Sequence, residues 1–245
     1  MLAGQAVAKV SNGAGGCTTS NQAYDISPVN DSSDSYRFWD TAGLNEGQEG
    51  NVPRDAFPNL LKLVNEHGVN LIIYCIRGRL VDIVRINYGL FWEIICRKEV
   101  PIVLVVTGLE GEQDKWLKAN RKTLDKMGMS FHGYACVTTT RGRNDVYEAE
   151  YEESAEKVWR LVREHCTRHS WHMTPAWFAE APKSMEEYMT LYKRGRKGWW
   201  KFIPDSVRRL FLRNRPLGDK PSTVCTLTRL SIEESPHSTT ILAPQ

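Results

Sequence analysis

The sequence predicts an α/β protein built on a mostly parallel sheet, and three observations predict it. Two continuous apolar runs, V-N-L-I-I-Y-C-I at 69–76 and P-I-V-L-V-V-T at 101–107, are rich in β-branched residues, as strands covered on both faces are. Segments with apolar residues at helical spacing separate the runs. Strand and helix then alternate through the first two thirds of the chain, which implies right-handed crossovers between parallel strands.

The elements follow in order. Strands are expected at 23–26, 36–39, 69–76, 101–107 and 132–137. Phe57, Leu60, Leu61 and Val64 mark a helix ending before His67-Gly68. Further helices are expected at 83–95, 116–127 and 147–166, with Gly128 as a C-cap for the second of these. The 1–169 segment therefore reads as one domain. After His169 the pattern changes: Trp171, Trp177, Trp199 and Trp200 come with scattered prolines and without alternation. Short helices are expected there at 185–191 and 204–213, within a basic, aromatic extension at 170–215. Ser, Thr and Pro dominate 216–245, which reads as a disordered tail.

Composition narrows the class. An apolar content of 41% with 25% charged residues suits a soluble globular protein. No run of eighteen apolar residues is present, which argues against a spanning helix. The first residues lack the basic region and apolar core of a secretory signal. Six cysteines lie scattered at 17, 75, 96, 136, 166 and 225, with no zinc spacing, so a reducing compartment and a cytoplasmic location are expected. The net charge of +3 is uneven. Residues 193–215 hold nine Lys/Arg against Asp205 alone, a net of +8, which leaves −5 for the remainder.

The motif with most chemistry is Phe38-Trp39-Asp40-Thr41-Ala42-Gly43, a strand end running into Asp-x-x-Gly. In nucleotide switches this Asp bonds a water on Mg²⁺ and the Gly N–H meets the γ-phosphate. Other elements stand in matching order. Gly15-Gly16-Cys17-Thr18-Thr19 precedes the first strand, Thr107-Gly108-Leu109-Glu110 ends the fourth, and Val137-Thr138-Thr139-Thr140 ends the fifth. Each of the last two lies at a strand's carboxyl end, where open α/β sheets bind ligands. No G-x-x-x-x-G-K-[ST] phosphate loop occurs in the sequence. The cluster Gly13-Ala14-Gly15-Gly16 has no following Lys-[ST], so it reads as a switch loop instead.

On these motifs, residues 1–166 resemble the GTP-binding domains of the Era/septin/immunity-associated group of P-loop GTPases, among them fungal G-domain proteins carrying W-D-T-A-G-L-N-E-G. The resemblance implies a three-layer P-loop NTPase-like fold that here lacks its first strand and phosphate loop, as an N-terminally truncated chain would. That strand would lie between the strands at 36–39 and 69–76, so its absence implies an open place in the sheet. The resemblance further implies GTP or GDP and Mg²⁺ as cofactors, with GTP hydrolysis in the complete relative. Thr18 and Asp40 are then the metal-side residues, with Thr19 if the register slips by one. Asp40 and Gly43 face the γ-phosphate, Thr107 and Glu110 face the base, and Thr138 and Thr139 stand behind it.

Three departures bear on activity. The base-reading motif is normally [NT]-K-x-D, and here Gly108 and Glu110 replace the Lys and the Asp. Leu44 follows Asp-x-x-Gly where a water-orienting Gln is usual, leaving Gln48 as a nearby candidate. The phosphate-loop lysine is missing. A second expectation is therefore a non-catalytic scaffold that binds partners through its basic segment.

Lys193-Arg194-Gly195-Arg196-Lys197-Gly198-Trp199-Trp200-Lys201 interleaves cations with aromatics. Packing against the domain is the plainest reading. An anionic membrane surface or a protein partner is the next, giving peripheral membrane association, and nucleic acid is the least favoured. A homodimer is a further partner the resemblance allows. Glu148 to Glu153 reads as an acidic helix start, and His165, His169 and His172 match no zinc pattern.

Overall fold

The computed structural model describes residues 1–3, 21–28, 34–41, 56–194 and 224–229. Strands β1 (Gln22–Ile26) and β2 (Tyr36–Asp40) precede helix α1 (Ala56–His67) and strand β3 (Leu71–Arg77). Helix α2 (Asp82–Tyr88) runs directly into a π-helical stretch, Gly89–Ile95. Strand β4 (Ile102–Thr107), helix α3 (Gln113–Lys126), strand β5 (Gly133–Cys136) and helix α4 (Glu148–His165) follow. Helix α5 (Pro175–Arg194) and strand β6 (Val224–Arg229) complete the described elements.

Among the described residues the sheet has six strands, in the order β1-β2-β6-β3-β4-β5. Strand β1 runs antiparallel to β2, from Gln22 opposite Asp40 to Ile26 opposite Tyr36. Every other neighbouring pair is parallel. The expected open place between β2 and β3 is therefore filled. Strand β6 pairs with β2 through Arg37↔Val224 to Asp40↔Leu227, and with β3 through Leu71↔Cys225 to Cys75↔Arg229. This corrects two expectations at once: the sheet does not present an interior edge, and residues 224–229 of the expected disordered tail are a strand. The physical reason is hydrogen bonding. Both β2 and β3 turn a row of backbone N–H and C=O groups to the gap, and leaving them buried and unpaired is costly.

Helices cover both faces, and strand alternation decides which residue faces which. On β3, Leu71 and Ile73 pack with Tyr36, Phe38, Val103, Val105 and the α4 residues Val158, Trp159 and Val162. Ile72, Tyr74 and Ile76 pack on the opposite face with α1, α2, α3 and α5. The period of two is what the continuous apolar runs require. At the end of α3, Gly128 has φ +64, and the Gly128 and Met129 amides donate to Asp125 O and Leu124 O, closing the helix as its position predicts.

Two features lie beyond the sequence reading. The expected short helix at 185–191 is part of a 20-residue helix that passes through Pro182. Trp177, Ala181, Met185 and Tyr188 recur at helical spacing and are all buried in the core, so tertiary packing outweighs the proline. The Trp177 indole N–H donates to Ile95 O, 3.0 Å, and Trp171 pairs with Val69 across a short antiparallel bridge. The segment after residue 169 is thus packed into the domain as far as α5. The expected helix at 204–213 lies outside the described residues.

The second feature is a buried charge centre. Residues Val84 to Ile95 are buried all round, held between the sheet and α5. Gly89 is required there, because a Cβ would fall 2.0 Å from the Tyr188 hydroxyl. Arg85, 4% exposed, donates to Glu93 Oε2 (3.0 Å), Met127 O (2.8 Å) and the Tyr188 hydroxyl (3.3 Å). Lys98 reaches the other Glu93 oxygen at 3.1 Å. Burial pushes the Tyr88 hydroxyl up to about 12 and the Tyr74 hydroxyl well above its usual value, so both stay protonated and donate, to Ser130 O and Val84 O. Burial likewise pushes the Cys96 thiol up.

Glu93→Leu leaves Arg85 charged, buried and short of its carboxylate, so it is expected to lower stability by about 3–5 kcal/mol in urea denaturation. The joint Arg85→Met/Glu93→Leu variant should lose far less. A single variant no worse than the double would contradict this account of the centre.

Candidate functional site

Because β2, β6, β3, β4 and β5 are parallel, their carboxyl ends share one edge of the sheet. Asp40, Arg77, Thr107 and Cys136 close four of these strands, and Arg229 closes the strand between β2 and β3. The residues following them are the ones the sequence selects. Strands β1 to β5 step in one direction across the sheet and β6 returns to lie between β2 and β3; the carboxyl ends of parallel strands are the usual ligand side of such sheets.

On the β2 side, Asp40 is the last strand residue and is half-buried, opposite Gln22 on one flank and Leu227 on the other. Thr41 follows at 3% exposure, and its hydroxyl has no hydrogen-bond partner among the described residues. Asn21, just before β1, donates to Asn59 O of α1 at 2.9 Å, which ties this corner to the first helix. Thr18 and Gly43 lie outside the described residues, as do Leu44 and Gln48.

On the β4 side, the Thr107 hydroxyl donates to Ile76 O at 3.3 Å, so it bridges the ends of β4 and β3. Gly108 follows with φ +71. A Cβ there would sit 3.0 Å from Arg77 Cγ and 3.1 Å from Arg77 Nε. The Arg77 stem thus lies along the Gly108 backbone, where a lysine would be strained by both conformation and contact. Leu109 is buried and its carbonyl accepts from the Glu112 amide, 2.8 Å. Glu110 is left half-buried at the tip of the turn. The Trp116 indole N–H donates to Gly78 O at 2.7 Å, pinning the loop after β3 beside it.

After β5, Thr138 is fully buried and Thr139 is exposed. The Thr138 hydroxyl accepts from the Gln113 side-chain amide, and its backbone N–H donates to Ser154 Oγ at 2.9 Å. Lys157 donates to Gln113 Oε1 at 3.1 Å, and Ser154 donates to Glu150 O. One network therefore joins the start of α3, the loop after β5 and the inner face of α4. Further out, Arg141 pairs with Glu148 at 2.7 Å and lies over the Tyr151 ring.

Thr107 at the end of β4, Glu110 just beyond it, and Thr138 and Thr139 after β5 thus lie at neighbouring strand ends, with Asp40 on the far side of β6 and β3. Sequence reasoning missed Arg77, Gln113, Ser154 and Lys157. A signal was present for two of these: Ser154 and Lys157 stand three apart, which places them on adjacent turns of one helix face. Arg77 and Gln113 become partners of Gly108 and Thr138 only through the fold.

The edge can do several things chemically. Asp40 offers a carboxylate, Glu110 an acceptor pair, and Arg77 a flat cation beside a bare backbone. For Mg²⁺, Asp40 next to the Thr41 hydroxyl, which has no partner among the described residues, suits an indirect, water-mediated ligand; Thr18 lies outside the described residues. No group of three or more His, Cys, Asp or Glu side chains able to hold a metal is found among the described residues. No described helix is long and apolar enough to cross a membrane. Comparison with known proteins finds no matching family model, no matching curated protein and no matching solved structure.

The Thr138 network yields a stability test. Gln113→Ala and Thr138→Val should each destabilise the fold by about 1–3 kcal/mol, because each leaves a buried polar partner unpaired. The double variant should lose clearly less than the sum in thermal denaturation; strict additivity would show that the two side chains do not interact.

Proposed function

We propose that this chain is a guanine-nucleotide-binding domain of the G-domain type, which holds GTP or GDP with Mg²⁺ across the carboxyl edge of its sheet. The observation that carries the reading is that Asp40 and Thr107 end parallel strands, and Glu110 and Thr138 follow such strands, at one edge of the sheet. With β6 counted as the central strand, the strand order also agrees with the layout the resemblance implies.

In this reading the residues divide the ligand between them. Asp40 holds a water on Mg²⁺ at the phosphate end, beside Gly43 and Thr18. Glu110 accepts from the ring N–H and exocyclic amine of guanine. Arg77, with its guanidinium beside Gly108, gives the base a planar cationic surface where the usual lysine stem is missing. Thr138 acts indirectly, since its hydroxyl is committed to Gln113 and its role is to fix the loop bearing Thr139. Binding rather than turnover is the expected activity of the chain as it stands. Leu44 cannot orient water, and no phosphate-loop lysine offsets the β- and γ-phosphate charge.

One observation favours the second reading, a non-catalytic scaffold. The sequence after the strand in the central place reads Leu230-Ser231-Ile232-Glu233-Glu234 and is not the G-x-x-x-x-G-K-[ST] that follows the central strand of a phosphate-binding sheet. A scaffold would use the basic segment 193–215 for protein or anionic membrane surfaces.

Equilibrium binding of fluorescent GTP, GDP and ATP, with and without Mg²⁺, separates the two. The nucleotide reading expects guanine preferred over adenine, a preference reduced about tenfold or more in Glu110→Ala, and a Mg²⁺ dependence lost in Asp40→Ala. Absence of binding at millimolar nucleotide would leave the scaffold.

A further inference from the structure

We infer that the gap between β2 and β3 is a strand-exchange site: β6 is its resident strand, and an extended apolar segment of a partner polypeptide displaces it. The inference is independent of nucleotide binding and rests on the sheet.

The gap asks for two things. Its backbone demand is for a parallel strand that pairs on both flanks, and β6 meets it, from Arg37↔Val224 on one side to Cys75↔Arg229 on the other. Any extended segment of about six residues without proline would meet it equally. Its side-chain demand is stricter. Phe38, Leu71 and Ile73 beside the gap are buried on the α4 face, and Ile72 and Tyr74 on the other. A parallel strand between such neighbours is ordinarily a near-continuous apolar run. Strand β3 reads L-I-I-Y-C-I-R and β4 reads I-V-L-V-V-T. Strand β6 reads V-C-T-L-T-R, with Thr226 in register with Trp39 and Ile72, and Thr228 in register with Tyr74. The resident strand meets the backbone demand and falls short of the apolar one.

Connectivity permits departure. Strand β6 is last among the described elements, and residues 195–223 separate it from α5. A connector of that length can span up to about 100 Å, so β6 can leave the sheet without drawing α5 from the core. Insertion of an extended segment into a sheet is an established mode of peptide recognition in other proteins, and apolar β-branched side chains supply its selectivity. The partner that fits is therefore an extended segment, parallel to β2 and β3, apolar at nearly every position.

The test uses the full chain and a fluorescent, lysine-flanked peptide with the core Val-Ile-Val-Leu-Val-Ile. A control peptide carries proline at the third core position. Anisotropy should report saturable binding of the first peptide and none of the second. Thr226→Val/Thr228→Val makes the resident strand more apolar and should weaken peptide uptake about tenfold or more while raising the melting temperature. Leu227→Pro should vacate the gap and strengthen uptake by a similar factor. Uptake that ignores both sets of substitutions, equal binding of the proline peptide, or no binding to any chain would overturn the proposal. The paired valine variant keeps the test decisive if Leu227→Pro does not fold.

Discussion

The constraint on which the rest of the structure depends is the backbone hydrogen-bonding demand of one gap in the sheet. Strands β2 and β3 do not pair with each other; each pairs with β6. Strand β6 thus joins the β1–β2 ribbon to the β3–β4–β5 half. The join is more than cohesive. Asp40 stands at the end of one half, and Thr107, Glu110 and Thr138 stand on the other. Their sharing of one edge is a consequence of β6 setting both registers, with Leu227 beside Asp40 and Thr228 beside Tyr74.

Helix packing then decides how rigid each half is. The β3–β4–β5 half is enclosed on both faces, with a buried Arg85–Glu93 pair locking α2, the π-helical stretch and α5 together. The loops after β4 and β5 inherit that rigidity through Trp116 on Gly78 and through the Gln113–Thr138–Ser154 network. The corner at Asp40 has fewer such anchors among the described residues, chiefly Asn21 on Asn59 and the Trp39–His67 stack. Among the described residues, the loops after β4 and β5 are thus the more heavily tied part of this edge.

Much of this was legible in the sequence, and the reasons are physical. The five expected strands fall within two residues of β1 to β5, because buried parallel strands need long apolar runs and leave little else to read. Helices α1 to α4 follow from apolar spacing. What was illegible depends on distant partners. V-C-T-L-T-R carries a short strand signal in its Val and Thr residues, but it sits among Ser, Thr and Pro, and pairing in the gap between β2 and β3 is what makes it a strand. Pro182 reads as a breaker until Trp177, Ala181, Met185 and Tyr188 are seen packed in the core. Gly108 reads as the loss of a lysine stem, yet the fold brings Arg77 to the same place from another strand. Thr138 reads as a ligand-side residue, and only α3 and α4 together show that its hydroxyl is already engaged.

The central claim is that β6 completes the sheet, and hydrogen exchange of the intact chain, resolved residue by residue, tests it most directly. The account predicts that the amides of Cys225 to Thr228 exchange far more slowly than those of an unstructured chain, together with those of β2 and β3 that border the gap. Exchange of Cys225 to Thr228 at the rate of an unstructured peptide, with β4 still protected, would contradict it.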